Sequence, residues 1–176
     1  MILDAMVRLL APVLAFTSNE IWQDMPHAAS DNAEHIMLND MPEVHPEYAF
    51  SEEEMLYWDK CMRLRNDVNK ALELARAEKI VGKPLDAEIT LYVSDAAKAD
   101  FAQIKEQDLP TIFIVSKVHV VEGEGEGYKG EQFPGITVKA EASALPKCVR
   151  CWAHSEGVGA DPEHPELCPR CAAAVK

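Results

Sequence analysis

A chain of 176 residues with 48% hydrophobic side chains has material for one ordinary core, or two small ones plus a small module. Its formal net charge of −13 would normally argue against nucleic acid as a partner, since affinity for phosphate comes mainly from Lys and Arg. The charge is unevenly spread, however, and the average misleads; no DNA partner is expected. The longest apolar run, Leu9 to Phe16, is far too short to cross a bilayer, so no membrane partner is expected.

The first element expected is a helix over Ile2 to Leu10, with Leu3, Met6, Val7 and Leu10 on one face, ended or kinked by Pro12. Thr17-Ser18-Asn19-Glu20 has the form of a capping box with Thr17 as N-cap, opening a helix with Ile21, Trp22 and Met25 that Pro26 stops. Residues 27–50 read as a loop in which Ile36-Met37-Leu38 offers an edge contact. Ser51-Glu52-Glu53-Glu54 is a second capping box and opens the longest helix, about Glu52 to Lys79, with Met55, Trp58, Met62, Leu64, Val68, Leu72 and Ala75 as its apolar face. Counted along the sequence, residues 1–56 carry −10 and residues 57–82 carry +2, so this helix is the basic part of an acidic chain. Its Lys60, Arg63, Lys70, Arg76 and Lys79 alternate with Asp59, Asp67, Glu73 and Glu78, which suits either i,i+3 and i,i+4 pairing on a solvated face or a phosphate-binding stripe. Gly82 is the expected stop, reinforced by Pro84.

Alternation then replaces helical spacing. Ala87 to Val93 reads as a strand, Asp95 to Gln107 as a short helix, and Thr111 to Val115, Lys117 to Val121 and Ile136 to Ala140 as strands. Gly123, Gly125 and Gly127 are interleaved with Glu122, Glu124 and Glu126, which would repel a phosphate, so a flexible hairpin loop is expected there.

The sharpest signal lies last. Cys148 and Cys151, then Cys168 and Cys171, form two C-x2-C pairs at the spacing of a four-thiolate zinc site. Residues 144–176 hold few apolar side chains and several Gly and Pro, so metal binding would supply their folding energy. One structural Zn²⁺ per chain is expected, closed by four sulfurs and without an open position for catalysis. Two disulfides would need an oxidising compartment, and MILDAMVRLL lacks the ordered regions of a secretory signal; a reducing cytoplasm is therefore expected, with Cys61 a small core residue. Iron in a rubredoxin-like knuckle is disfavoured because Trp152 and Ala172 stand where glycine follows each pair in such sites. His154 is expected as a surface or supporting group, and His164 as a reserve ligand that the complete cysteine set makes unnecessary. No catalytic residues are expected, since no activated serine motif, P-loop or H-E-x-x-H is present. The fold class expected is multi-module α and α+β: a helical part over 1–82, a small mixed α/β sheet module over 83–143, and a four-cysteine zinc knuckle over 144–176.

Together, LLAPVLAFTSNEIW, RNDVNKALELAR with IVGKPLDAEITLYV, and KCVRCWAHSEGVG with ELCPRC resemble, in order, the anticodon-binding helices, junction region and terminal zinc module of bacterial isoleucyl-tRNA synthetases. Lys83-Pro84 departs from the small hydroxyl residues usual there, and HIGH and KMSKS are absent, with Val115-Ser116-Lys117 only an echo. The resemblance implies a fragment beginning within the anticodon-binding bundle, inactive by itself, whose parent joins isoleucine to its tRNA. ATP and Mg²⁺ would belong to the missing catalytic domain, and editing would also lie outside this chain. It implies binding of the isoleucine tRNA's anticodon stem-loop, with Arg150 and Trp152 on loop bases, Lys147 and Arg170 on phosphate, and Lys60, Arg63, Lys70 and Arg76 as a second basic surface. Trp152 could instead pack in the thin core of the knuckle. Exposed apolar faces at Leu3, Val7 and Leu10 would favour self-association. Two other classes fit parts of the pattern: a DNA-repair glycosylase with a similar zinc finger, for which Met1-Ile2-Leu3 offers no nucleophile, and a zinc-ribbon scaffold that binds protein.

Overall fold

The computed structural model describes residues 2–175. The chain forms two compact units, Met1–Ala49 and Phe50–Lys176. The division falls before the long helix, which packs with the sheet that follows it.

In the first unit, helix α1 (Ile2–Leu10) and helix α2 (Ala15–Gln23) enclose a small core of Val7, Ala11, Trp22 and Ile36. Val7 is turned into this core, while Leu3, Met6 and Leu10 remain substantially exposed, so only one member of the expected α1 face is buried. Trp22 donates its indole N–H to the Asn32 carbonyl at 2.9 Å, which pins the following loop onto α2. Thr17 is not an N-cap: α2 starts at Ala15 behind Leu14, the Ser18 N–H already bonds the Leu14 carbonyl at 2.9 Å, and no side chain caps the helix. Asn19 instead accepts the Ile36 N–H at 3.0 Å, and Ile36 inserts from a short 3-10 turn. Helix–loop bonding thus replaces the local cap that the motif suggests.

The second unit is built on helix α3 (Glu52–Ala77), which opens at the Ser51 capping box as expected: the Glu54 N–H bonds Ser51 Oγ at 3.2 Å and the Ser51 N–H bonds Glu54 Oε2 at 2.8 Å. Its buried face is Cys61, Leu64, Asp67, Val68, Ala71, Leu72 and Ala75; Met55, Trp58 and Met62, at the start of the predicted stripe, stay largely exposed. The helix ends before Gly82. Lys79 takes the left-handed conformation at φ 61°, the Ile80 N–H reaches back to the Ala75 carbonyl at 2.9 Å and the Lys79 N–H to Arg76 at 3.0 Å, a Schellman stop that a lysine occupies.

The sheet under α3 has the order β2-β1-β4-β3, from β1 (Ala87–Val93), β2 (Lys117–Glu122), β3 (Tyr128–Lys129) and β4 (Ile136–Ala142). β1 runs parallel to β2, with Glu88 opposite Lys117, and antiparallel to β4, with Val93 opposite Ile136. Ala87, Ile89, Leu91 and Val93 point into the core with period two. Between β1 and β2 the expected helix shortens to α4 (Lys98–Phe101), and the expected strand at Thr111 to Val115 is helical as α5 (Leu109–Phe113). Pro110 fits the first turn of α5, and Leu109 and Phe113, four apart, are both buried; tertiary burial outweighs the β propensity of the Thr-Ile-Phe-Ile run. The Gly-Glu segment is no hairpin, because β2 and β3 lie at opposite edges of the sheet. It is a crossing connection, and Gly125 passes so close to Tyr92 that a Cβ would sit 2.3 Å from its ring. Among the described residues no helix is long and apolar enough to cross a membrane.

Candidate metal centre and nucleic-acid surface

The last segment has little regular structure beyond helix α6 (Pro169–Ala173). The first cysteine pair sits on a tight turn in which the Trp152 N–H bonds the Cys148 carbonyl at 2.9 Å and the Cys148 N–H bonds the Ala153 carbonyl at 3.0 Å. Cys168 occupies the N-cap of α6 and Cys171 lies one turn on. The two knuckles are laced together by Val149 N–H to the Glu166 carbonyl at 3.3 Å and by Cys168 N–H to Cys148 Sγ at 3.4 Å. All four Sγ atoms lie within 4.8 Å of one another, and Cys151 and Cys168 are 3.8 Å apart. A tetrahedral site with metal–sulfur bonds of about 2.3 Å has sulfur–sulfur edges of about 3.8 Å. The four free thiols therefore fit Zn²⁺ in kind, number and spacing. Neither His154 nor His164 belongs to the cluster.

The surroundings favour thiolate at Cys148 and Cys171. Burial pushes the Cys148 thiol up, but backbone N–H groups of Cys151, Cys168 and Arg150 outweigh it and hold the group down to about 6. Arg150 Nη1 reaches Cys171 Sγ at 3.6 Å and holds that thiol below its ordinary value. Burial instead pushes Cys168 up to about 11 among its sulfur neighbours. Arg170 bonds Cys151, which raises the guanidinium above its ordinary value. A divalent cation on four thiolates leaves two negative charges, and Arg150 and Arg170 supply two positive ones.

Trp152 follows the knuckle in the left-handed region at φ 63°, and its residue surface is 59% exposed, so it does not fill the knuckle core. Lys83 Nζ lies 5.7 Å from the centroid of its ring. Lys147 pairs with Asp86, whose carboxyl is held below its ordinary value chiefly by that contact and then by His154. His154 Nε2 is 3.3 Å from the same Asp86 oxygen, Nδ1 is 2.6 Å from the Leu145 carbonyl, and its backbone N–H bonds Ser116 Oγ at 2.7 Å. Lys117 completes the seam by pairing with Glu156 at 2.6 Å. The cations of α3 take partners of their own: Lys60 bonds Asp100 at 2.7 Å and Gln103 at 2.8 Å, Arg63 pairs with Asp59 at 3.0 Å, Lys70 with Glu73 at 3.6 Å, and Arg76 bonds the Gly82 carbonyl at 3.3 Å. Asp67, expected on the charged face, is buried.

The cysteines, Arg150, Trp152, Lys147 and Arg170 thus gather in one small region, and sequence reasoning missed the residues that seat it, Asp86, Lys83 and Ser116. Lys83 and Asp86 share one turn, Ser116 comes from a distant segment, and no spacing signal links them to the knuckle.

A family model described as the anticodon-binding domain of tRNA ligase matches residues 1–91, and one described as a zinc finger found in FPG and IleRS matches residues 146–174. Isoleucine–tRNA ligases are similar over the whole chain: that of Geobacter sulfurreducens is 43% identical over 177 residues, covering 100% of this chain and 19% of that protein. That of Syntrophotalea carbinolica is 39% identical over 99% of this chain and 18% of its own length, and that of Haemophilus influenzae 37% identical over 99% and 19%. The chain spans about a fifth of the length of these relatives.

Proposed function

The chain belongs to the anticodon-binding domain family of tRNA ligases, and from that premise we propose that it is the tRNA-binding C-terminal region of an isoleucyl-tRNA synthetase. Its ligand in this reading is the anticodon stem-loop of the isoleucine tRNA. ATP and Mg²⁺ would act in other regions of the synthetase, and the setting is the cytoplasm. Cys148, Cys151, Cys168 and Cys171 would hold one Zn²⁺, which supplies folding energy and fixes the turn that carries Arg150 and Trp152. The zinc finger by itself is shared with FPG and does not choose between RNA and DNA; the match over 1–91 favours tRNA.

The observation that carries the reading is the exposed Trp152 on a metal-fixed turn, an aromatic surface of the kind on which unstacked loop bases are read. Arg150 and Arg170 use one side of the guanidinium on sulfur and retain further N–H groups for loop or phosphate oxygens. Lys147 would reach phosphate by exchanging its Asp86 partner, and Lys60, Arg63, Lys70 and Arg76 would have to exchange theirs, so the contribution of α3 is secondary. Trp152→Ala is expected to lose about 1–3 kcal/mol of stem-loop binding. Arg150→Ala is expected to lose a similar amount, in chains verified to hold zinc. Salt dependence should be shallow, because few cations meet phosphate. Zinc-replete variants that bind parent and altered anticodon loops as the parent chain does would refute the reading. The exposed Leu3, Leu10 and Phe16 further suggest self-association, and concentration-independent monomer in sedimentation would remove that part.

A further inference from the structure

We propose that Lys83 and Asp86 are positioning residues that hold the Trp152 indole so that an RNA base stacks on one face only. The proposal rests on the reading of Trp152 as a base-stacking residue. A bulky side chain at φ 63° with most of its surface in water has no core to clamp it. Its freedom would be lost on binding and would weaken any base contact. Lys83 supplies the clamp. Its ammonium lies 5.7 Å from the ring centroid, within the reach of a cation–π contact. Although the chain has 30 acidic residues, this ammonium makes no ion pair among the described residues.

Lys83 is itself held. Its N–H bonds Asp86 Oδ2 at 3.3 Å, the Asp86 N–H bonds the Lys83 carbonyl at 2.9 Å, and Pro84 fixes the backbone between them. The other oxygen of the same carboxylate takes Lys147 and faces His154 at 3.3 Å. Lys147 and His154 pair as a β-bridge on either side of the knuckle turn. One carboxylate therefore sets the turn carrying the cation against the turn carrying the aromatic ring. With a cation behind the indole, only its opposite face is free for a base.

The test uses the full zinc-loaded chain labelled with 5-fluorotryptophan, the Trp152 fluorine resonance being assigned with Trp152→Phe. Lys83→Met should move that resonance, leave that of Trp22 in place, and weaken binding of the isoleucine-tRNA anticodon stem-loop about two- to fivefold. Lys83→Arg should restore both readouts, and Asp86→Asn should act in the direction of Lys83→Met with zinc content unchanged. In a Trp152→Ala background the Lys83→Met loss should vanish. A loss of the same size in that background would mean that Lys83 meets phosphate directly, and it would overturn the proposal. Trp152→Ala weakening binding while Lys83→Met changes neither binding nor resonance overturns the positioning role alone. Trp152→Ala binding as the parent does overturns the stacking reading and this proposal with it.

Discussion

Asp67→Asn tests the packing of the second unit at its least obvious point. The Asp67 carboxylate is 1% exposed and accepts four contacts from three consecutive N–H groups: Glu131 to Oδ1 at 3.0 Å, Gln132 to Oδ1 and Oδ2 at 3.1 Å each, and Phe133 to Oδ2 at 2.7 Å. Gly130 brings the loop in so closely that a Cβ there would lie 2.7 Å from Asp67 Oδ2. Asparagine keeps one oxygen and turns an NH₂ group toward backbone donors, which leaves at least one N–H unpaired at a cost of about 1–3 kcal/mol. The bonds that remain also lose their ionic partner, which roughly halves their strength. Together these predict a local loss of about 3 kcal/mol, or roughly a hundredfold lower protection of the Glu131 to Phe133 amides in native-state hydrogen exchange. Protection of Phe133 within about threefold of the parent, a change near 0.6 kcal/mol, would refute the assignment of Asp67 as the anchor of this loop.

Metal removal should unmake the segment from about Ala144 onward and spare α3, because among the described residues the knuckle has little beyond its cysteines, Val158, Leu167 and Ala172 for a core. Metal analysis should return one zinc per chain; iron in its place, or loss of all helical dichroism on chelation, would contradict this. Glu88 gives the expected pH response. The Ser143 hydroxyl at 2.6 Å, followed by His119 at 3.0 Å, holds its carboxyl below the ordinary value of 4.5. A group depressed in the folded state binds protons more readily when unfolded, so its stabilisation is present above pH 4.5 and is lost as pH falls through the lower folded value. Glu88→Gln should flatten the acid limb of a stability-against-pH curve, and an unchanged limb would count against the pairing.

The parts legible in the sequence are those whose information lies within one turn of chain. The Ser51 box, the period-two burial of Ala87 to Val93 and the C-x2-C spacing within each cysteine pair are read over a few residues, although the two pairs meet only in the fold. What was missed depends on distant partners. Thr111 to Val115 has strand-forming residues, yet Leu109 and Phe113 gain more from burial against α3 as a short helix. Thr17 fits a capping motif, but the helix had already begun at Ala15. Asp67 resembled one more surface charge because its three donors lie 64 to 66 residues away. Asp86 was invisible for the same reason, since Lys147 and His154 arrive from beyond the sheet.

The distance between Asp67 and its loop also bears on how the protein is made. Phe133 follows Asp67 by 66 residues, and at about 5–20 residues per second a ribosome needs roughly 3–13 s to deliver it. For most of that interval α3 is complete while the Asp67 carboxylate still lacks its N–H partners, although β1 and α5 arrive earlier to cover part of the apolar stripe. β1 also waits for its β4 neighbour, though for a shorter stretch of chain, since Val93 pairs with Ile136. The buried face of the nascent helix is thus complete only when Glu131 to Phe133 arrive.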